Sequence, residues 1–365
     1  MLSAKETTGD GGEGFVYPRS LQDPRLTLGG AVKVIDASNF PAEMQNLIVL
    51  AANKQPIPNC DSLMYFPEND KNWGRIAAGR TDNGEDDVIR RAAQAHARVL
   101  HPPETMGFWT IGPGDAFDKK ERIVIEAHLA EGHSFDSFMY SDINEGALTK
   151  SIDDGRRVAQ ELGLVDVKHI PILGDVFSNS HRKANQSLLG KSRVLATSFG
   201  FTLQNLRNSV SGYTEATTSL TDTLDRVRKW LPKGSRLFAT LDHQKDSKIV
   251  ETNFTGPQHE DFFQTGVAHH LGRDVADVTE LRRVFTPNTA ILNRRGHLTE
   301  DVAFNLGERG FVVLQKGTQI WNGVSARIPQ ERAVKAFEDA KWDRVFPDPI
   351  SNLDQSLACH VALKR

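Results

Sequence analysis

The sequence is poor in cysteine, has no long apolar run and carries little net charge. Its two cysteines, Cys60 and Cys359, are too few for a disulfide framework and fit a reducing compartment. No stretch approaches the roughly 18 consecutive apolar residues of a membrane helix. The first residues lack an apolar signal core, so we expect a cytoplasmic protein without a membrane partner. The formal net charge of −3 over 365 residues gives no field that would gather nucleic acid.

Metal-binding patterns are also missing. The 12 histidines include no HxxxH or HExxH spacing, and neither cysteine belongs to a CxxC pair. His269 and His270 are adjacent, so their side chains point apart on a helix or a strand. We therefore expect no metal site.

The pattern of apolar residues predicts a doubly wound α/β protein. Residues 1–30 are rich in Gly, Thr, Asp and Glu and are expected to be disordered. Residues 85–100 predict a helix with an acidic start that suits the helix dipole, and Val88, Ala92 and Val99 fall on one face. From residue 106 to about 242, short apolar runs alternate with helical stretches, which indicates βαβ units and a parallel sheet. Beyond this region the pattern predicts two helices, short antiparallel strands such as 311–320, and then a helix and a terminal strand.

Three polar or glycine-rich sites follow successive predicted strands. The first is the Gly112-Pro113-Gly114 turn before a helix, where glycines let the backbone approach a ligand. Asp142 ends the next strand, and an ionised carboxylate there can accept both hydroxyls of a ribose. Asp175 follows the third strand and can receive an exocyclic adenine amine. Together the three predict a nucleoside pocket at the carboxyl edge of the sheet.

The segment 196–206 after the fourth predicted strand allows a second interpretation. Ala-Thr-Ser-Phe-Gly approximates a nucleophile elbow at Ser198, and Asp242 and His360 follow in the order that a serine hydrolase requires. An elbow serine should be followed at once by a helix, whereas loop-forming residues follow here. The hydrolase remains the alternative at this point.

An ordered series of motifs resembles the histidine-specific methyltransferase family. The motifs are IGPGDAFDKKERIVIEAHL, MYSDINEGALTKSI, PILGDVF, LATSFGFTLQNL, LDHQKDSKIVETNF and the final HVALKR. The family includes the ergothioneine-pathway histidine Nα-methyltransferase and the fungal dimethylallyltryptophan N-methyltransferases. The resemblance covers residues 106–270 well, is looser over 271–365 and is faint before 105. It implies a Rossmann-like, class I domain that binds S-adenosyl-L-methionine, and a second, mixed α+β domain that helps to bind an amino-acid substrate.

The resemblance also implies roles for individual residues. Contacts with the cofactor are implied for Tyr65, Gly112, Gly114, Lys120, Asp142, Asp175 and Val176. Asn205 would hydrogen-bond the α-amino group of the substrate and so act as the catalytic residue, and Phe254, Trp321 and Ser325 would face the substrate.

Two departures from the family's pattern concern the substrate. Phe254 stands where the family's aromatic residue faces the substrate carboxylate, and it has no hydroxyl. Gly323 stands where the histidine methylators carry a glutamate that receives the imidazole. Without it a histidine side chain would lose on the order of 1–3 kcal/mol of pairing. The sequence therefore predicts an N-methyltransferase for a small amine or an amino acid other than histidine, or else a cofactor-binding homologue that has lost activity.

The resemblance implies a division of the chain. Residues 31–105 and 246–335 would build the substrate domain, 106–245 the cofactor domain, and 336–365 a helix and a strand that return to its sheet.

Overall fold

The computed structural model describes residues 33–39, 42–52, 69–78, 84–114, 117–174, 176, 192–200, 202–205, 216–244, 246–252, 255–271, 275–286 and 289–365. The expectation for residues 1–30 lies outside them. Within the described residues the helices are α1 (Ala42–Ala52), α2 (Asp70–Ala78), α3 (Glu85–Val99), α4 (Lys120–Ala130), α5 (Glu145–Glu161), α6 (Thr202–Asn205), α7 (Ala216–Trp230), α8 (Ser247–Thr252), α9 (Pro257–Leu271) and α10 (Gln330–Asp339). The strands are β1 (Lys33–Asp36), β2 (Thr105–Ile111), β3 (Ser134–Asp142), β4 (Lys168–Leu173), β5 (Val194–Ser198), β6 (Arg236–Asp242), β7 (Ala276–Thr286), β8 (Thr289–Leu298), β9 (Val302–Asn305), β10 (Phe311–Leu314), β11 (Gln319–Arg327), β12 (Asp343–Arg344), β13 (Ile350–Ser351) and β14 (Leu357–Leu363).

The central sheet confirms the predicted doubly wound α/β fold. Its strand order is β12-β14-β6-β5-β2-β3-β4, and β13 pairs with β14 beside this path. Five neighbouring strands of this sheet run parallel to one another: β6, β5, β2, β3 and β4. The terminal β14 is antiparallel to β6, and β12 is antiparallel to β14. The chain winds outward from β2 in one direction and from β5 in the other, so the carboxyl ends of β2 and β5 mark the point where the strand order reverses.

Two hydrophobic cores cover the two faces of the central sheet. Successive side chains of β2 alternate between them: Phe108 packs with α3, α4 and α5, and Trp109 packs with α7 and α10. The helices that cover both faces explain why the parallel strands are buried on both sides. Val99 was predicted on the buried face of α3, but it is 62% exposed because the helix ends there and Leu100 turns inward instead.

A third core joins the start of the described chain to a late segment. Ile48 of α1 and Ile76 of α2 pack with Phe262 of α9 and with Phe304 of β9. Around this core, β1 pairs in parallel with β9, which pairs antiparallel with β10, while β7, β8 and β11 form a separate antiparallel sheet. We propose that this core belongs to the second domain. Helix α3, which precedes residue 105, packs on the central sheet.

The late strands differ from the sequence prediction in two places. The predicted strand over 311–320 is two strands, β10 and β11, because a turn with Gly317 at φ +81° separates them. The predicted antiparallel pairing is confirmed for β9 with β10 and for β8 with β11. Strand β7, which the pattern did not predict, pairs along β8.

Candidate functional site

The glycine turn after β2 lies where the strand order reverses. Gly112 and Gly114 have φ values of +62° and +60°, in the left-handed region that favours glycine. A Cβ on Gly112 would stand 3.0 Å from Cγ2 of Thr202 at the start of α6, so this glycine is required for packing. A Cβ on Gly114 would meet no described atom within 4 Å. Gly114 therefore leaves the backbone open at the carboxyl edge of the sheet, where open α/β sheets bind ligands in a crevice.

Asp142 at the end of β3 contacts this turn. Its Oδ2 accepts from the Gly114 N–H at 3.3 Å, and its Oδ1 accepts from the Asn144 N–H at 2.9 Å. Asn144 caps α5 by accepting from the Ala147 N–H at 2.7 Å, which fixes the chain on the far side of the carboxylate. The structure thus brings together Gly114 and Asp142, which are 28 residues apart.

The end of β4 completes the same edge only in part. The Gly174 N–H donates to the Asp142 carbonyl at 2.9 Å, and Val176 is buried close by in the chain. Asp175, Tyr65 and Phe254 lie outside the described residues.

Lys120 at the start of α4 forms an ion pair with Glu85 of α3. Its Nζ lies 2.6 Å from Glu85 Oε2, and the side chains are 19% and 9% exposed. The other carboxylate oxygen, Oε1, accepts from the Gly200 N–H at 3.0 Å and from the Thr240 hydroxyl at 2.6 Å. Burial acts to raise the pKa of Glu85, but the charge of Lys120 and the three hydrogen bonds outweigh it and hold that pKa below its ordinary value. Glu85 is therefore ionised beneath the crevice.

A second buried carboxyl group, Glu121, lies next in the chain. Thr110 of β2 donates to its Oε1 at 2.9 Å, whereas its Oε2 has no hydrogen-bond partner among the described residues. Burial raises the pKa of Glu121 to about 8, because the ionised form would lose its hydration. Glu121 is consequently a neutral acid at pH 7.

The predicted substrate residues that the structure describes lie in α6 and β11. Asn205 lies in α6 and Trp321 in β11, but their side chains are outside the described part of the structure. Ser325 is buried, and its Oγ accepts from Arg327 Nη1 at 2.6 Å. The register of β11 on β8 passes over Gly323, so β11 has a bulge at this residue.

Arg327 and Gln204 tie strand β11 to the central sheet. Arg327 Nε lies 2.5 Å from Oδ2 of Asp242, the last residue of β6. Gln204 of α6 donates to the Ala326 carbonyl at 2.6 Å and accepts from the Asp242 N–H at 2.9 Å. These contacts make α6, β6 and β11 one polar wall beside the crevice.

Sequence reasoning missed Glu85, Gln204 and Arg327. A signal for Glu85 was present, because residues 85, 88, 89 and 92 fall on one helical face and Glu85 therefore shares the buried stripe of α3. Arg327 pairs with a residue 85 positions earlier in the chain, and no local pattern points to such a pair.

The hydrolase alternative is not favoured by the structure. Ser198 is buried, and its hydroxyl donates to the Ile111 carbonyl at 3.4 Å. Its φ is not among the positive values of the described residues, so it lacks the strained turn of an elbow. Asp242 pairs with Arg327, and His360 Nε2 lies 3.3 Å from His243 Nε2 rather than beside the serine.

A cavity of 540 Å³ lies elsewhere on the same sheet edge, between β6, α10 and the loop before β14. Its lining includes His243, Gln330, Arg344 and Ser356 and none of the predicted site residues.

None of the described helices is long and apolar enough to cross a membrane.

Comparison with known proteins gives only distant structural likenesses. No protein-family model matches the chain, and no curated protein matches it. CalS10 with bound SAM, an amino pentose methyltransferase from Micromonospora echinaspora, is 11% identical over 80% of this chain and 95% of its own, with a TM-score of 0.36. The CcbJ methyltransferase from Streptomyces caelestis is 14% identical over 78% of this chain and 99% of its own, with a TM-score of 0.38. The Burkholderia thailandensis 1,6-didemethyltoxoflavin-N1-methyltransferase is 12% identical over 80% of this chain and 88% of its own, with a TM-score of 0.34.

Proposed function

We propose that this protein is an S-adenosyl-L-methionine-dependent N-methyltransferase for an amino acid or related small amine. One observation carries the proposal: the open glycine turn after β2 contacts Asp142 at the end of β3, where the strand order reverses. Ligands of open α/β sheets bind at this kind of crevice. The antiparallel β14 beside β6 also supports a class I methyltransferase fold over a purely parallel dinucleotide fold.

We assign residues at this edge of the sheet to the three parts of this cofactor. Asp142 uses both oxygens as acceptors for main-chain N–H groups, and a carboxylate has further lone pairs for the two ribose hydroxyls. Gly114 leaves space for the chain that joins the ribose to the amino-acid end. Lys120 supplies a cation for the carboxylate of that end. We assign the adenine to Val176 and Asp175 and a further contact with the cofactor to Tyr65. Asp175 and Tyr65 lie outside the described residues.

The bound cofactor supplies an electrophilic methyl group on a sulfonium, and the protein's own task is to align a neutral amine with it. We assign this alignment to Asn205, whose helix α6 starts against the glycine turn at Thr202. We assign Phe254, Trp321 and Ser325 to the acceptor side. Gly323 stands where the resembled family has an acidic partner for an imidazole, which supports an acceptor other than histidine. We further propose a distant relation to the histidine-specific methyltransferase family.

Methyl transfer can be tested by mass spectrometry. The protein and methyl-labelled cofactor are incubated with a panel of α-amino acids and small amines, and Asp142→Ala is run in parallel. We expect one class of amine to gain the label with the parent and not with the variant. Turnover of histidine in preference to all others would contradict the proposed acceptor. Cofactor binding without transfer to any amine would support the alternative of a homologue that has lost activity. The altered substrate positions Phe254 and Gly323 are consistent with that alternative.

A further inference from the structure

We propose that Glu85 is a positioning residue for the amino-acid end of the cofactor, acting through Lys120 and the Gly200 turn. This inference rests on the proposed function. It comes from a buried carboxylate that lies outside the strand-end motifs and that joins four elements of the fold.

The position of Glu85 is set by two neighbouring strands, through Thr240 of β6 and through Gly200 in the turn after β5. Thr240 lies two residues before the end of β6, and Gly200 lies two residues after the end of β5. Gly200 has a φ of +69°, and a Cβ built on it would stand 4.0 Å from Lys120 Nζ. The ammonium of Lys120 is therefore held against the turn that follows the reversal point of the sheet.

The hydrogen bonds of Glu85 require a carboxylate. Oε2 faces the ammonium of Lys120, and Oε1 faces the N–H of Gly200 and the hydroxyl of Thr240, so donors stand on both sides. A carboxylate accepts on both oxygens, whereas an amide of the same shape presents one acceptor and one donor. Glutamine would thus leave either Lys120 or the Gly200 N–H facing an N–H group. One of the two would have to move.

The charge of the pair suits a zwitterionic ligand group. An isolated ammonium at this depth would be costly to bury, and Glu85 neutralises it. An ammonium has three N–H donors, and Glu85 takes one, so Lys120 can also donate to a ligand carboxylate. Glu85 in this way orients the Lys120 side chain and leaves N–H donors of its ammonium for the ligand.

The test compares two ligands that differ only at the amino-acid end. S-adenosylhomocysteine carries this end, and 5′-methylthioadenosine has the same nucleoside without it. Their dissociation constants are measured by calorimetry for the parent, for Glu85→Gln and for Asp86→Asn. Asp86 is the next residue of α3 and is exposed, so it controls for loss of a carboxylate at the helix start.

We expect Glu85→Gln to weaken S-adenosylhomocysteine about tenfold or more and to leave 5′-methylthioadenosine within about twofold. Asp86→Asn should match the parent for both ligands. Equal loss of both ligands, or unchanged binding of S-adenosylhomocysteine, would overturn the inference while the proposed function stands. Failure of the parent to bind S-adenosylhomocysteine would remove the proposed function and the inference with it.

A second variant covers the case in which Glu85→Gln does not fold. Glu85→Asp keeps the charge and draws both oxygens back by one methylene. We expect the same selective weakening of S-adenosylhomocysteine, smaller in size, and circular dichroism checks the fold. A folded Glu85→Asp protein with parental affinity for both ligands would overturn the inference.

Discussion

Replacing Glu121 by glutamine should stabilise the protein, and the gain should grow with pH. The carboxyl group is buried and accepts a hydrogen bond from Thr110, and burial raises its pKa from 4.5 to about 8. For an acid with a raised pKa in the folded state, stability is fully present below the unfolded pKa and is lost as pH rises toward the folded pKa. The loss therefore falls between pH 4.5 and about 8.

The size of the effect follows from the shift. Each pH unit within this window costs about 1.4 kcal/mol of unfolding free energy, so the cost of Glu121 is about 3 kcal/mol at pH 7. Glutamine does not titrate and removes this dependence. Its amide adds an unpaired donor at the position of Oε2, which lowers the gain by a constant amount at every pH.

Urea unfolding at a series of pH values measures the difference between Glu121→Gln and the parent. We expect this difference to rise by about 1.4 kcal/mol per pH unit from about pH 5 to 8 and then to level off. Glu126→Gln, at a more exposed position of the same helix, controls for the loss of a carboxyl group. A difference that stays constant over this range would refute the description of Glu121 as a buried neutral acid.

Three further outcomes follow from other parts of the structure. Burial lowers the pKa of His128 to about 4, so the stability that depends on its neutral form is lost as pH falls below the unfolded value of 6.5. His128→Gln should therefore reduce the loss of unfolding free energy between pH 7 and 5 by about 2 kcal/mol. An unchanged loss in urea titrations would contradict this. Arg327→Met removes the ion pair with Asp242 and should lower the free energy of unfolding by about 3–5 kcal/mol. If the loss is equally large in the double variant with Asp242→Asn, the ion pair is not the cause of the loss. Gly114→Ala should lower the free energy of unfolding by only about 1–2 kcal/mol, because of its left-handed φ. It should also weaken the binding of S-adenosylhomocysteine, because the new Cβ enters the open space that we assign to the ligand. Parental affinity in calorimetry would argue against a ligand at this turn.

The fold could be predicted because its signals are local. Apolar runs of strand length alternate with helical stretches from β2 to β6, and glycine marks helix ends such as Gly132 at φ +84°. The contact between Gly114 and Asp142 also follows from the sequence, since the carboxyl ends of neighbouring parallel strands meet at one edge.

The buried polar groups were harder to predict. The acidic start of α3 was explained by the helix dipole, which applies to exposed Asp86 but not to Glu85. Glu85 and Glu121 both lie on the buried stripe of their helices, so helical period could have indicated that they are buried. Their partners could not have been found in this way, because Gly200 and Thr240 lie more than 100 residues from Glu85.

The cofactor site is tested most directly by calorimetric titration of S-adenosylhomocysteine into the parent, Asp142→Ala and Asp136→Ala. Asp136 is an exposed residue of the same strand β3 and serves as the matched control. We predict one site in the parent and in Asp136→Ala, and an affinity about 100-fold lower in Asp142→Ala, since two hydrogen bonds from a ribose to a charged acceptor are lost. Equal affinity of Asp142→Ala and the parent, or no binding by the parent, would contradict the proposed site.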